Sequence, residues 1–168
     1  MLIQDMNRQK CIDLLSETRI GRIACTLGAQ PYVTPFSYAY HEGAIYSFAT
    51  LGKKVEWMRA NPLVCIEVEK IISRQEWQTV VIFGRFQELH ESRDIPDLRK
   101  FAHSLLARDA MWWEPGAVKT LHWGVERKIE AVYFRVSIDE MTGHQAFADE
   151  PVTEGGAAAK SARHTPSW

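Results

Sequence analysis

Tyr32-Val33-Thr34-Pro35-Phe36-Ser37-Tyr38-Ala39-Tyr40-His41 runs into Glu42-Gly43 and returns through Ala44-Ile45-Tyr46-Ser47-Phe48. Both arms are rich in aromatic and β-branched residues and two turn residues part them, which reads as a β-hairpin. Pro35, and Pro31 just before this stretch, cannot donate to a sheet ladder. The first arm is therefore expected at a sheet edge, or where the ladder is broken and backbone groups are left for a ligand. Upstream, Gly28-Ala29-Gln30-Pro31 is a turn, and residues 18–27 form a strand whose apolar alternation slips once near Gly21, the mark of a bulge. Before it, Cys11, Ile12, Leu14 and Leu15 fall at helical spacing, so residues 7–17 read as an amphipathic helix.

Downstream, residues 63–71 form a β-branched strand and residues 75–89 a longer one, expected to bend at Gly84. Residues 91–106 read as helix, with Leu98, Phe101, Ala102 and Leu105 on one face. Residues 107–123 are irregular or briefly helical, and residues 131–138 alternate as a last strand. Strands joined by hairpins, with few helices between them, point to a mainly β protein with peripheral helices, an antiparallel barrel rather than a doubly wound sheet. Residues 1–145 are expected to form one domain. Residues 146–168, small and polar, are expected to be a tail with too little apolar surface to offset its ordering entropy.

The composition narrows the function classes. A net charge of −1 over 168 residues gives no basic field for nucleic acid. No apolar run approaches a membrane span and no signal-peptide pattern opens the chain, so a cytoplasmic protein is expected. Cys11, Cys25 and Cys65 have neither disulfide nor metal spacing and read as reduced thiols, with no metal expected. Six tryptophans are many for this length, and such residues line pockets and interfaces as well as cores. GxGxxG, GxxxxGK[ST] and GxSxG are all missing from the chain.

The chemistry-bearing stretch follows the hairpin: Ala49-Thr50-Leu51-Gly52-Lys53-Lys54, then a short helix that Asn61-Pro62 stops. Thr50 and Gly52 stand where caps stand, and two lysines fill the first turn. Helix starts favour carboxylates, because their free N–H groups carry partial positive charge. Two cations there are unfavourable unless an anion meets them, and together with the N–H groups they make a phosphate site. The plainer alternative is a pair of solvated lysines.

Taken in order, Gly21-Arg22-Ile23-Ala24, the stretch from Gln30 to Tyr38, that from Gly43 to Lys54 and Asn61-Pro62 resemble the pyridoxamine 5′-phosphate oxidase-like FMN-binding split barrels. Trp77 to Arg85 and Phe134 to Gly143 continue the match, which is nearest to the nitroimidazole-resistance-like flavoproteins and covers residues 5–145. The resemblance implies an FMN cofactor and a homodimer with its cofactor sites at the interface. It places Lys53 and Lys54 on the flavin phosphate, Thr34, Pro35, Phe36 and Ser37 along the ring and ribityl chain, and Ala49, Thr50 and Gly52 beside the flavin. Gln78 and Thr79 match the position from which the second subunit reaches the ring. The oxidase proper has arginine where Thr34 stands, and its C-terminal tryptophan and arginine substrate motif has no counterpart, so oxidation of pyridoxamine phosphate is not implied.

The implied activity is FMN-dependent reduction of a small aromatic, nitro or quinone-like electrophile. The alternatives are a non-enzymatic flavin or electron carrier and a haem-binding split barrel. His41, at the hairpin turn, and Trp112-Trp113 are candidate substrate contacts, against plainer roles as a turn residue and as loop packing. No general acid or base stands out.

Overall fold

The computed structural model describes residues 1–91, 97–108, 119–122, 125–128 and 131–148. In chain order its elements are β1 (Leu2–Asp5), α1 (Arg8–Glu17), β2 (Ile20–Leu27), β3 (Gln30–Ser37), β4 (Ala39–His41), β5 (Ala44–Thr50) and α2 (Lys53–Ala60), followed by β6 (Leu63–Ser73), β7 (Glu76–Glu88), α3 (Leu98–Leu106), β8 (Lys119–His122), β9 (Val125–Lys128) and β10 (Ala131–Phe147). Eight strands form one antiparallel sheet in the order β3-β2-β6-β7-β10-β5-β4, with β1 also on β10, and β8 pairs with β9. The sheet is curled on itself. One stretch of chain supplies both of its outer strands, because β3 pairs with β2, β4 pairs with β5, and only Tyr38 lies between them. This is the antiparallel barrel expected from the hairpins, in the split form that the resemblance implies.

Tyr38 fixes that change of partner. Its N–H donates to the Arg19 carbonyl at 2.9 Å, and its buried phenol meets Thr18 Oγ1 at 2.6 Å and the Leu15 carbonyl at 3.2 Å. Burial pushes the phenol up to about 12, so it stays protonated and able to donate. Alternate residues of β2, β6, β7 and β10 fill the interior, with Ile23, Ile66, Val68, Val80, Ile82, Phe134 and Val136 all buried. Cys11, Leu14 and Leu15 from α1 and Val55 and Met58 from α2 complete this core.

The prolines of β3 leave its ladder whole. Pro31 opposes Thr26 and Pro35 opposes Arg22 within eight consecutive pairs. Lacking an N–H, both prolines take non-hydrogen-bonded positions, and Tyr32, Thr34 and Phe36 exchange the bonds with β2. The expected edge is observed and the expected break is not. Nor does β2 bulge at Gly21, whose register with Phe36 is regular. Gly21 takes the inward position, where a Cβ would meet the Glu67 carbonyl at 2.8 Å, so Ile20 turns outward, 55% exposed. β7 passes through Gly84 unbroken. The irregularities lie between Ile138 and Glu140 of β10 and between Ile71 and Ser73 of β6.

Other boundaries also moved. The last strand extends to Phe147 because β1, unforeseen in the sequence, pairs with its end. The third helix was expected from residue 91, yet its described part starts at 98, where Asp97 caps the N–H groups of Arg99 and Lys100. Of residues 107–123, the four of β8 are strand, paired with the equally unforeseen β9. Residues 149–168 of the expected tail lie outside the described residues.

Candidate ligand site

β5 ends at Thr50, and Leu51 and Gly52 lead straight into α2. Ala49 is buried and Thr50 exposed at that strand end. Gly52 is the N-cap in extended conformation and supplies no side-chain acceptor, so Thr50 does not cap the helix as expected. The first intrahelical bond runs from the Glu56 N–H to the Gly52 carbonyl at 3.1 Å. The N–H groups of Lys53, Lys54 and Val55 at the positive end of the helix dipole therefore have no capping side chain.

The two lysines differ. Lys53 is exposed, and its ammonium sits over the rings of Trp57 at 4.8 Å and Tyr32 at 5.3 Å. Those rings meet edge to face at 5.7 Å, which ties α2 to β3. Lys54 is half-buried beside Cys25 of β2 and has no hydrogen bond or ion pair among the described residues. Burial pulls its ammonium below the ordinary 10.5, an effect the Cys25 thiol partly opposes. A cation that has lost water without gaining an anion favours any anion that reaches it.

β3 faces the same place. Since Tyr32, Thr34 and Phe36 spend their backbone groups on β2, those of Val33 and Ser37 and the carbonyls of Pro31 and Pro35 lie on its free edge. The Ser37 carbonyl accepts from Ser47 Oγ of β5 at 2.6 Å and marks where the two strands begin to part. Beyond it the edge has no paired strand among the described residues. Thr34 is half-buried and Phe36 buried in the core. The structure thus brings together Thr34, Pro35, Phe36, Ser37, Ala49, Thr50, Gly52, Lys53 and Lys54, around a strand edge and an uncapped helix start.

The other expected site residues lie elsewhere. Gln78 and Thr79 are on β7, two strands away from β2 across β6. Their side chains take opposite faces. Thr79 donates to Glu67 at 3.3 Å on the outside of the barrel, whereas Gln78 faces a cavity beneath α1. His41 packs edge to face on Phe101 of α3, with ring centroids 5.1 Å apart, in a second apolar cluster around Tyr46 and Tyr133. Trp112 and Trp113 lie outside the described residues. Tyr32 and Trp57 were missed, although an aromatic four positions after Lys53 is a readable signal. Among the described residues no cluster of three His, Cys, Asp or Glu side chains is placed to hold a metal, and no helix is long and apolar enough to cross a membrane.

A family model described as pyridoxamine 5′-phosphate oxidase matches residues 7–145. An uncharacterized protein of Rhizobium meliloti (strain 1021) is 35% identical over 150 residues, covering 89% of this chain and 99% of that protein. Among solved structures, a FAD-binding protein from Mesorhizobium loti is 37% identical, with a TM-score of 0.71 over 87% of this chain and 99% of its own. A FAD and haem binding protein from Mycobacterium smegmatis, 14% identical, has a TM-score of 0.60 over 88% and 76% of the two chains and shares the fold.

Proposed function

The chain belongs to the pyridoxamine 5′-phosphate oxidase family, and on that premise we propose that it is a flavin-binding oxidoreductase, taking FMN and reducing a small aromatic, nitro or quinone-like electrophile. The observation that carries the reading is Lys54, a half-buried ammonium with no anion beside it among the described residues, at the start of a helix without a capping side chain. Lys54 and the leading N–H groups of α2 would hold the phosphate. The free edge of β3, with its carbonyls and the N–H groups of Val33 and Ser37, would orient the polar parts of the cofactor. The bound flavin supplies the hydride and electron chemistry. Burial of Phe36 and Ala49 beside the site keeps water from that side.

FAD is the second reading, favoured by the Mesorhizobium loti protein at 37% identity. A visible spectrum of the purified protein, with the chromophore released by denaturation and identified, separates the two. FMN is expected. Released FAD moves the assignment to the dinucleotide, a Soret band replaces flavin with haem, and a colourless protein that takes up no added flavin removes the proposal. Turnover with a reduced nicotinamide cofactor and a nitroaromatic panel then tests the enzyme. A fully loaded protein that turns nothing over is an electron carrier.

We also propose a homodimer. On the outer face of the sheet, Val33, Ala24, Cys65 and Phe83 stand side by side across β3, β2, β6 and β7. Val33 is 58% exposed, and Phe83 and the nearby Leu63 are 51% exposed, an apolar strip of the kind that a second copy covers. Thr79 shares this face, so Thr79 of the partner subunit is the residue that would reach across, and Gln78 is not. Phe83→Glu with Val33→Glu should raise the dimer dissociation constant by roughly a hundredfold or more, since two large apolar contacts become buried charges. Light scattering across a dilution series reads this, and an unchanged dimer would place the interface elsewhere.

A further inference from the structure

Beneath α1 lies an open cavity of about 340 Å³, with no residue of α2 in its lining. Lys70, Gln78 and Gln145 form one cross-strand row on its floor, from β6, β7 and β10. Gln145 is only 2% exposed, yet its amide makes no hydrogen bond among the described residues. Gln78, directly opposite it, is likewise unpartnered, and the two amides do not bond each other. None of their amide atoms is sealed from solvent without a bond, so the unused hydrogen-bonding capacity of both amides is open to the cavity that the two residues line. Here both are left for whatever enters the cavity.

The charges at its mouth sort in the same way. Lys70 and Glu17 pair at 2.8 Å and cancel. Asp13 accepts only from the neutral amide of Gln9, at 2.8 Å, and Lys10, three residues earlier, has no carboxylate partner among the described residues. One uncommitted cation and one uncommitted anion thus flank the opening, while Leu14 and Phe147 give it an apolar wall. The volume lies at the small end of the range for ligand pockets.

We propose that the cavity between α1 and the ends of β6, β7 and β10 binds a small zwitterion of the α-amino-acid type with an apolar side chain. Its carboxylate takes N–H donors from Gln78 and Gln145 and the charge of Lys10, its ammonium takes Asp13, and its side chain lies on Leu14 and Phe147. The site is separate from the flavin site, and it gives Gln78 a role on the opposite face of the sheet from Thr79.

The test uses the full chain with its bound cofactor and L-phenylalanine as the probe, followed by the side-chain amide resonances of the glutamines. Saturable shifts of Gln78 and Gln145 are expected, with phenethylamine and 3-phenylpropionate, which each lack one charge, binding at least about tenfold more weakly. Gln145→Leu should weaken L-phenylalanine by about tenfold or more. Should that variant fail to fold, Asp13→Asn, on the exposed side of α1, should abolish the advantage of L-phenylalanine over 3-phenylpropionate. No shift at about 10 mM probe, equal binding of the three compounds, or undiminished selectivity in Asp13→Asn would each overturn the proposal and leave a water-filled cavity.

Discussion

Replacing Lys53 and Lys54 together by alanine should give protein that folds normally and is purified without flavin. Each charge-assisted bond to a phosphate contributes about 1.5–3 kcal/mol, so removing both should weaken flavin binding by roughly a hundredfold or more. The single variants separate their shares. Lys53 already spends its ammonium on the faces of Tyr32 and Trp57, whereas Lys54 has no partner among the described residues, so Lys54→Ala should account for most of the loss. The pH dependence carries the same signature. Burial lowers Lys54 below 10.5, so between its lowered value and 10.5 the unfolded chain holds the proton that the ligand-free fold gives up, and ligand-free stability rises with pH. A bound phosphate restores the ammonium, so flavin affinity should fall with pH across that same window. Equilibrium titration with FMN at a series of alkaline pH values, on wild type and Lys54→Ala, reads both effects. Full flavin occupancy in the double variant, or a pH slope that survives Lys54→Ala, would move the phosphate site away from α2.

Gly84→Ala should be among the most damaging single changes in the molecule. Its Cβ would point at the Ser137 carbonyl of β10 and come within 2.7 Å of Val136 Cγ1, in the buried interior of the sheet. Gly84 pairs with Ile138, beside the irregularity between Ile138 and Glu140, so β10 presses its backbone against β7 at this point. A backbone carbonyl in a paired strand has nowhere to retreat. Overpacking ordinarily costs 1–3 kcal/mol, and a clash with main chain should reach about 3 kcal/mol or more, a large share of the stability of a single domain. Urea unfolding followed by tryptophan fluorescence should show a midpoint lowered accordingly. An unmoved midpoint would mean that β10 can shift at no cost.

Period-two alternation and the Glu42-Gly43 turn made the barrel legible, because each hairpin is a local event. Glu42 and Gly43 both adopt positive φ, as the two-residue turn demands. Less legible was what depends on distant chain. Gly21 read as a bulge and Gly84 as a bend, yet each yields space to a neighbouring strand, which no local pattern encodes. β1 has four exposed residues and no apolar alternation to announce it, since its place is set by the far end of β10. At the candidate site, the lysine pair and the prolines pointed to the helix start and the strand edge, but not to Lys53 folding onto two rings while Lys54 has no partner among the described residues. Gln78 and Thr79 are adjacent in sequence, and only the strand's alternation puts them on opposite faces.

The central place of β10 also orders the history of each molecule. It pairs with β7 throughout, with β5 at its start and with β1 at its end. A chain emerging from the ribosome exposes the interior faces of β2, β5, β6 and β7 until the residues near 147 follow. Leu2 cannot pair until Phe147, its register partner, has been made. Closure is thus built on contacts remote in sequence, which favours slow folding and a period of dependence on chaperones.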